Sequence, residues 1–191
     1  MWSRTVLAAF GAASVALAAS QASGAERFGA KFNHQLTPPE FCKDNKKSAM
    51  CSWVLMEAQG NAGKEKAPRD GTIAKIRLVA CAPRGSFVLQ IVRVKAGTEK
   101  VKVIRTGPVI NYEGTNRNCN ASNNFDVEEF DVNVPVRKGD SLAVVATQVR
   151  FMYNPGSGPS IMFDPPLAED DPFRGTGLDS GFLMLQAELA P

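Results

Sequence analysis

Residues 128–137 read EEFDVNVPVR, with Phe130, Val132, Val134 and Val136 alternating with Asp131, Asn133, Pro135 and Arg137. Successive side chains of a strand point to opposite faces, so this spacing dictates a half-buried β-strand. Pro135 has no amide to give to a ladder, which places the strand at a sheet edge or bends it there.

The same period recurs on both sides of this stretch. TIAKIRLVAC (72–81) sets Ala74, Ile76, Leu78 and Ala80 against Lys75 and Arg77. FVLQIVRV (87–94) is apolar on both faces apart from Gln90 and Arg93, the pattern of a central strand, and KVKVIRT (100–106) puts Val101 and Val103 on one side. SLAVVATQV (141–149) and GFLMLQAEL (181–189) complete the set, with CSWVLMEA (51–58) as the first strand. Turn signals separate them at Arg69-Asp70-Gly71, Pro83-Arg84-Gly85, Ala96-Gly97-Thr98 and Lys138-Gly139-Asp140. Short alternating strands without a helical pattern predict an all-β fold: an antiparallel, jelly-roll-like β-sandwich, one domain over 50–191, preceded by an irregular arm over 26–49.

The chain opens MWSRTVLAAFGAASVALAASQASGAE. Arg4, a short alanine-rich apolar run and the small residues around Ala25 read as a cleaved signal peptide over 1–25. That run is too short and too weakly apolar for a membrane anchor. The expected mature protein is secreted or periplasmic, without a membrane span. Export makes Cys42, Cys51, Cys81 and Cys119 candidates for disulfides. Four cysteines allow three pairings. Cys42 and Cys51 bracket a polar stretch that can double back, and Cys119 sits in the Asn-rich stretch NRNCNASNNFD (116–126), which lacks apolar anchors. The expected pairs are therefore Cys42 with Cys51 and Cys81 with Cys119.

The formal charge is only +3, and the basic residues are scattered without interleaved aromatics, so no nucleic-acid partner is expected. The single histidine, His34, lies in a polar stretch and makes a poor general base for a triad. No CxxC or HxxxH occurs to hold zinc, and no cofactor motif is present. DPPLAEDDP (164–172) offers Asp164, Glu169, Asp170 and Asp171 as oxygen ligands. It lacks the glycine-punctuated spacing that wraps calcium, and reads as a stiff charged surface loop. Neither catalytic nor metal residues are assigned. Glu128, Glu129 and Asp131 are carboxylates a glycosidase would need, but their strand makes them a solvated face. Tyr112, Tyr153 and Phe163 lie in or beside loops, where ring faces stack on sugars or plug the ends of the sandwich.

Three stretches carry a resemblance: Cys51-Ser52-Trp53-Val54 behind Cys42; Asp70-Gly71-Thr72-Ile73 leading through Ile76-Arg77-Leu78 to Leu89-Gln90-Ile91-Val92-Arg93; and the closing Leu183–Leu189. They resemble a family of exported bacterial β-sandwich proteins without an assigned activity. The resemblance implies a fold and an exported location, and no catalytic residue. In that family acidic, calcium-binding-like repeats often follow the sandwich, and none is present here. The expected function is an exported non-catalytic module that binds a surface or polymer, carbohydrate included, or serves structurally at the cell envelope. The alternative is an extracellular carbohydrate-active hydrolase using paired carboxylates.

Overall fold

The computed structural model describes residues 25–30, 32, 37–40, 50–56, 65–81, 84–114, 126–146, 150–154, 160–175, 178–179 and 182–191. In chain order the strands are β1 (Arg27–Gly29), β2 (Thr37–Glu40), β3 (Cys51–Leu55), β4 (Gly71–Leu78), β5 (Ala80–Cys81), β6 (Gly85–Val94) and β7 (Val101–Tyr112). They continue with β8 (Glu128–Val136), β9 (Ser141–Ala146), β10 (Arg150–Asn154), β11 (Ser160–Phe163), β12 (Leu178–Asp179), β13 (Phe182–Leu183) and β14 (Leu185–Leu189). No helix occurs among the described residues, and two antiparallel sheets pack face to face as a β-sandwich.

One sheet has four strands in the order β1-β14-β4-β8, and the other has six in the order β12-β11-β3-β9-β6-β7. A small third sheet joins β13, β10 and β2, with β5 also on β10. β8 lies at the edge of the four-stranded sheet, where Pro135 costs no ladder bond. β6 lies between β9 and β7 and is buried on both faces over Leu89–Val92, as its two-faced apolar pattern requires.

Two readings of the sequence are corrected. The arm over 26–49 is not wholly irregular: β1 pairs with β14 and puts Phe28 into the core, and Thr37–Glu40 pairs with β10. CSWVL is thus the third strand and not the first. A sequence scan misses β1 because three residues carry no measurable alternation. Gly29 makes its closest approach feasible: φ is +110°, and a Cβ there would lie 2.5 Å from the Leu185 carbonyl oxygen. In β4, strict alternation fails as well. A register shift against β8 between Ile73 and Lys75 lets Ile73 join Ile76 and Leu78 inside.

The principal core lies between the sheets. Trp53, Leu55, Phe87, Leu89, Ile91, Leu142 and Val144 from the six-stranded sheet meet Ile73, Ile76, Leu78, Leu185, Ala187 and Leu189 from the four-stranded one. At one end Asp140, only 1% exposed, closes the turn from β8 to β9. Its carboxylate accepts from Arg93 Nη2 at 2.6 Å and from the Arg137 amide at 3.1 Å. Gly139, at φ +86°, provides the left-handed step in that turn.

Candidate functional site

The outer face of the six-stranded sheet, turned away from the principal core, divides into two halves. The register fixes its rows. One row runs Thr106, Gln90, Ala143, Val54, Ile161, and the next runs Val109, Val88, Val145, Ser52, Phe163.

One half is sealed by the segment 164–175, which leaves β11 and crosses to β7. It covers a second apolar cluster that includes Val54, Val92, Val101, Val103, Ala143 and Ile161, to which the segment itself adds Leu167. A buried polar latch holds this strap. The Leu167 amide donates to Ser52 Oγ at 2.8 Å, Ser52 Oγ donates to Gln90 Oε1 at 3.2 Å, and Gln90 Nε2 donates to the Leu167 carbonyl at 3.0 Å. Gln90 and Ser52 are the two polar residues that interrupt otherwise apolar strands, and each satisfies strap backbone that would otherwise be buried unpaired. Farther on, Arg174 and Val101 exchange backbone hydrogen bonds of 2.8 Å, and the Thr106 amide donates to Glu169 Oε1.

This disposes of much of the acidic loop's ligand capacity. Asp171 Oδ2 accepts from the Ala168 amide at 3.0 Å and pairs with Arg174, while Glu169 is taken by Thr106. Among the described residues no group of three or more His, Cys, Asp and Glu is placed to share a metal ion.

The other half of the outer face is open. Val109 is 65% exposed, and Val88 and Val145 beside it are half-buried. The adjoining row pairs exposed Asn111 with half-buried Ser86. These five residues carry valine, hydroxyl and amide groups, and exposed Arg84 and Glu113 lie next beyond them at the start of β6 and the end of β7. The outer face of the four-stranded sheet contrasts with this corner. Lys75 and Arg77 both reach Glu129 at 2.9 Å, and Arg27 reaches Glu188 at 2.8 Å. The hydrogen bond from Lys75 chiefly holds the Glu129 carboxyl below its ordinary range, and Glu129 in turn raises the Lys75 ammonium. These are exposed ion pairs in a solvated ladder.

The sequence-predicted ligand residues are not brought together. Tyr112 is completely buried, and its hydroxyl donates to the Ala80 carbonyl at 3.1 Å and also bonds Glu128. Burial first, then the bond and charge of Glu128, push its phenol far above the ordinary range. Phe163 is 2% exposed, under the Arg174 guanidinium at 5.6 Å from the ring centre. Neither ring offers a face to a sugar: Tyr112 is packed in the principal core and Phe163 in the outer cluster beneath the strap. Of Tyr153 only the backbone is described, in β10 opposite Leu183. Glu128 and Glu129 are engaged as above, and Asp131 stands opposite Lys75.

Cys51 is buried, and no cysteine among the described residues is free. Cys51 is disulfide-bonded, and its partner lies outside the described side chains. Cys42 and Cys119 lie outside the described residues, as do His34 and residues 1–24 of the expected signal peptide 1–25, and of Cys81 only the backbone is described. No described helix is long and apolar enough to cross a membrane. The open corner was missed by sequence reading because Val88, Val109 and Val145 share a row only through cross-strand register. The latch had one visible signal, Gln90, which with Arg93 interrupts the apolar stretch 87–94.

Comparison with known proteins finds no matching family model, no similar curated protein and no similar solved structure.

Proposed function

We propose that this chain is an extracytoplasmic β-sandwich module that works by contact, holding a surface or polymer against the open corner of its six-stranded sheet. The observation that carries the reading is the uncharged row of Val109, Val88 and Val145 with Ser86 and Asn111, beside a half of the same face that is sealed. An apolar strip edged by hydroxyl and amide groups suits a polymer that presents both C–H faces and hydroxyls, and polysaccharide is the first class to test. The exported location rests on the N-terminal sequence and on the family resemblance.

Cosedimentation of the mature protein with insoluble cellulose, chitin and peptidoglycan tests the reading. Retention on one of them, lost in Val109→Glu and kept in Glu129→Gln, is the expected result. Release of soluble sugar that disappears in a carboxylate variant would replace it with the hydrolase. The disulfide pairing belongs to the same proposal. Tyr112 and Glu128 bracket the stretch that holds Cys119, and both meet the strand end at Leu78–Ala80, next to Cys81. That favours Cys81 with Cys119, leaving Cys42 for Cys51. Peptide mapping of the unreduced protein is expected to return those two links, and a Cys51–Cys81 peptide would refute them.

A further inference from the structure

The strap does more than cover apolar side chains. β7 is the longest strand, with 12 residues, and ends the six-stranded sheet, so one of its edges is left without a strand neighbour among the described residues. An unpaired edge invites another extended chain. Here the strap takes that place in part. Arg174 pairs with Val101 through its own amide and carbonyl, as an added strand would, and the Glu169 carboxylate takes the outward amide of Thr106. Lys100 lies beside the strap, where a Cβ on Gly175 would come 3.3 Å from its Cγ, while Lys102 and Arg105 stand opposite Arg93 and Ile91 on the other face of the sheet; the strap carries Glu169, Asp170 and Asp171 together with Arg174.

We infer that the β7 edge is an acceptor for an acidic, extended peptide segment of a partner protein, and that the 164–175 strap occupies it in cis as an autoinhibitory contact. The strap displays the chemistry the edge selects: backbone pairing at Val101 and a carboxylate on the Thr106 amide. Strand addition supplies affinity through main-chain bonds and specificity through the side chains beside them. A second copy of β7 is a poorer occupant, because it would set basic edge against basic edge. The Leu167 latch sits away from the edge, so loosening it frees the strap without altering the acceptor. This inference is independent of the open corner, which lies beyond the strap.

The test uses the mature chain and a synthetic peptide copying residues 164–175, with Ser52→Ala and Leu167→Ala as two separate latch variants. Near-ultraviolet circular dichroism establishes that each is folded. The peptide is expected to bind the latch variants at least tenfold more tightly than the wild type. A peptide with Glu169, Asp170 and Asp171 replaced by their amides is expected to bind at least tenfold more weakly than the acidic one. Thr106→Pro in the latch background removes the amide and abolishes binding. Equal binding of the acidic and amide peptides would overturn the inference. So would absence of binding to a folded latch variant, or self-association of that variant in place of peptide capture.

Discussion

The two apolar clusters are closed by different means. The inner one is closed by another sheet: alternation on β4, β8 and β14 supplies a cover of apolar side chains. The outer one is closed by a strap without regular structure, whose backbone polar groups need partners that a sheet would have provided. Ser52 and Gln90 supply them. A face covered by irregular chain must bring its own hydrogen-bond acceptors and donors, and those interrupt the apolar pattern of the strands beneath.

The largest expected effect lies in the inner cluster. Leu89 is fully buried between the sheets, and Leu89→Ala is expected to cost about 3–5 kcal/mol, with folding lost as one transition. Leu167→Ala in the outer cluster is expected to cost about 2–3 kcal/mol, because the strap can lift from the sheet while the inner cluster stays packed. Urea denaturation of both variants checks the order, and a costlier Leu167→Ala would mean that the strap is part of the main folding unit.

Next comes the latch. Ser52→Ala leaves the Leu167 amide and one Gln90 lone pair buried without a partner, at about 1–3 kcal/mol. In Val145→Ala, one place along the same row, no polar group is orphaned. The comparison is sharpened if Ser52→Ala speeds amide exchange in the strap while β4 and β14 are unaffected. Uniform acceleration across both sheets would break it.

The smallest effect at neutral pH concerns Tyr112. Its phenol is raised in the folded state, so deprotonation is easier in the unfolded chain. The associated stability is complete below about pH 10, the unfolded value, and is lost as pH rises beyond it. Ultraviolet titration should therefore show no phenolate from Tyr112 until the protein unfolds, and Tyr112→Phe should flatten the alkaline limb of the stability curve. A Tyr112 phenolate in folded protein at pH 10 would contradict its burial.

The sandwich was legible because half-buried strands must alternate: EEFDVNVPVR announced both its face and, through Pro135, its edge position. Ala74 was grouped with Ile76 and Leu78 where Ile73 belongs, because a bulge changes the phase of a strand without changing its composition. β1 was missed because Arg27–Gly29 is too short to show a period. Of the site, very little could be read. Tyr112 and Phe163 look like surface aromatics in one dimension, and only the third places them inside. Val88, Val109 and Val145 each read as ordinary strand valines, and register across β6, β7 and β9 is what gathers them.

The most direct test is amide exchange on the mature protein with and without the insoluble polysaccharide that retains it. The account predicts new protection confined to Ser86–Val88 and Val109–Asn111, with the strap and the charged face of β4 and β14 unchanged. Protection centred on Lys75, Arg77 and Glu129, with none at Val109, would contradict it and move the binding face to the opposite sheet.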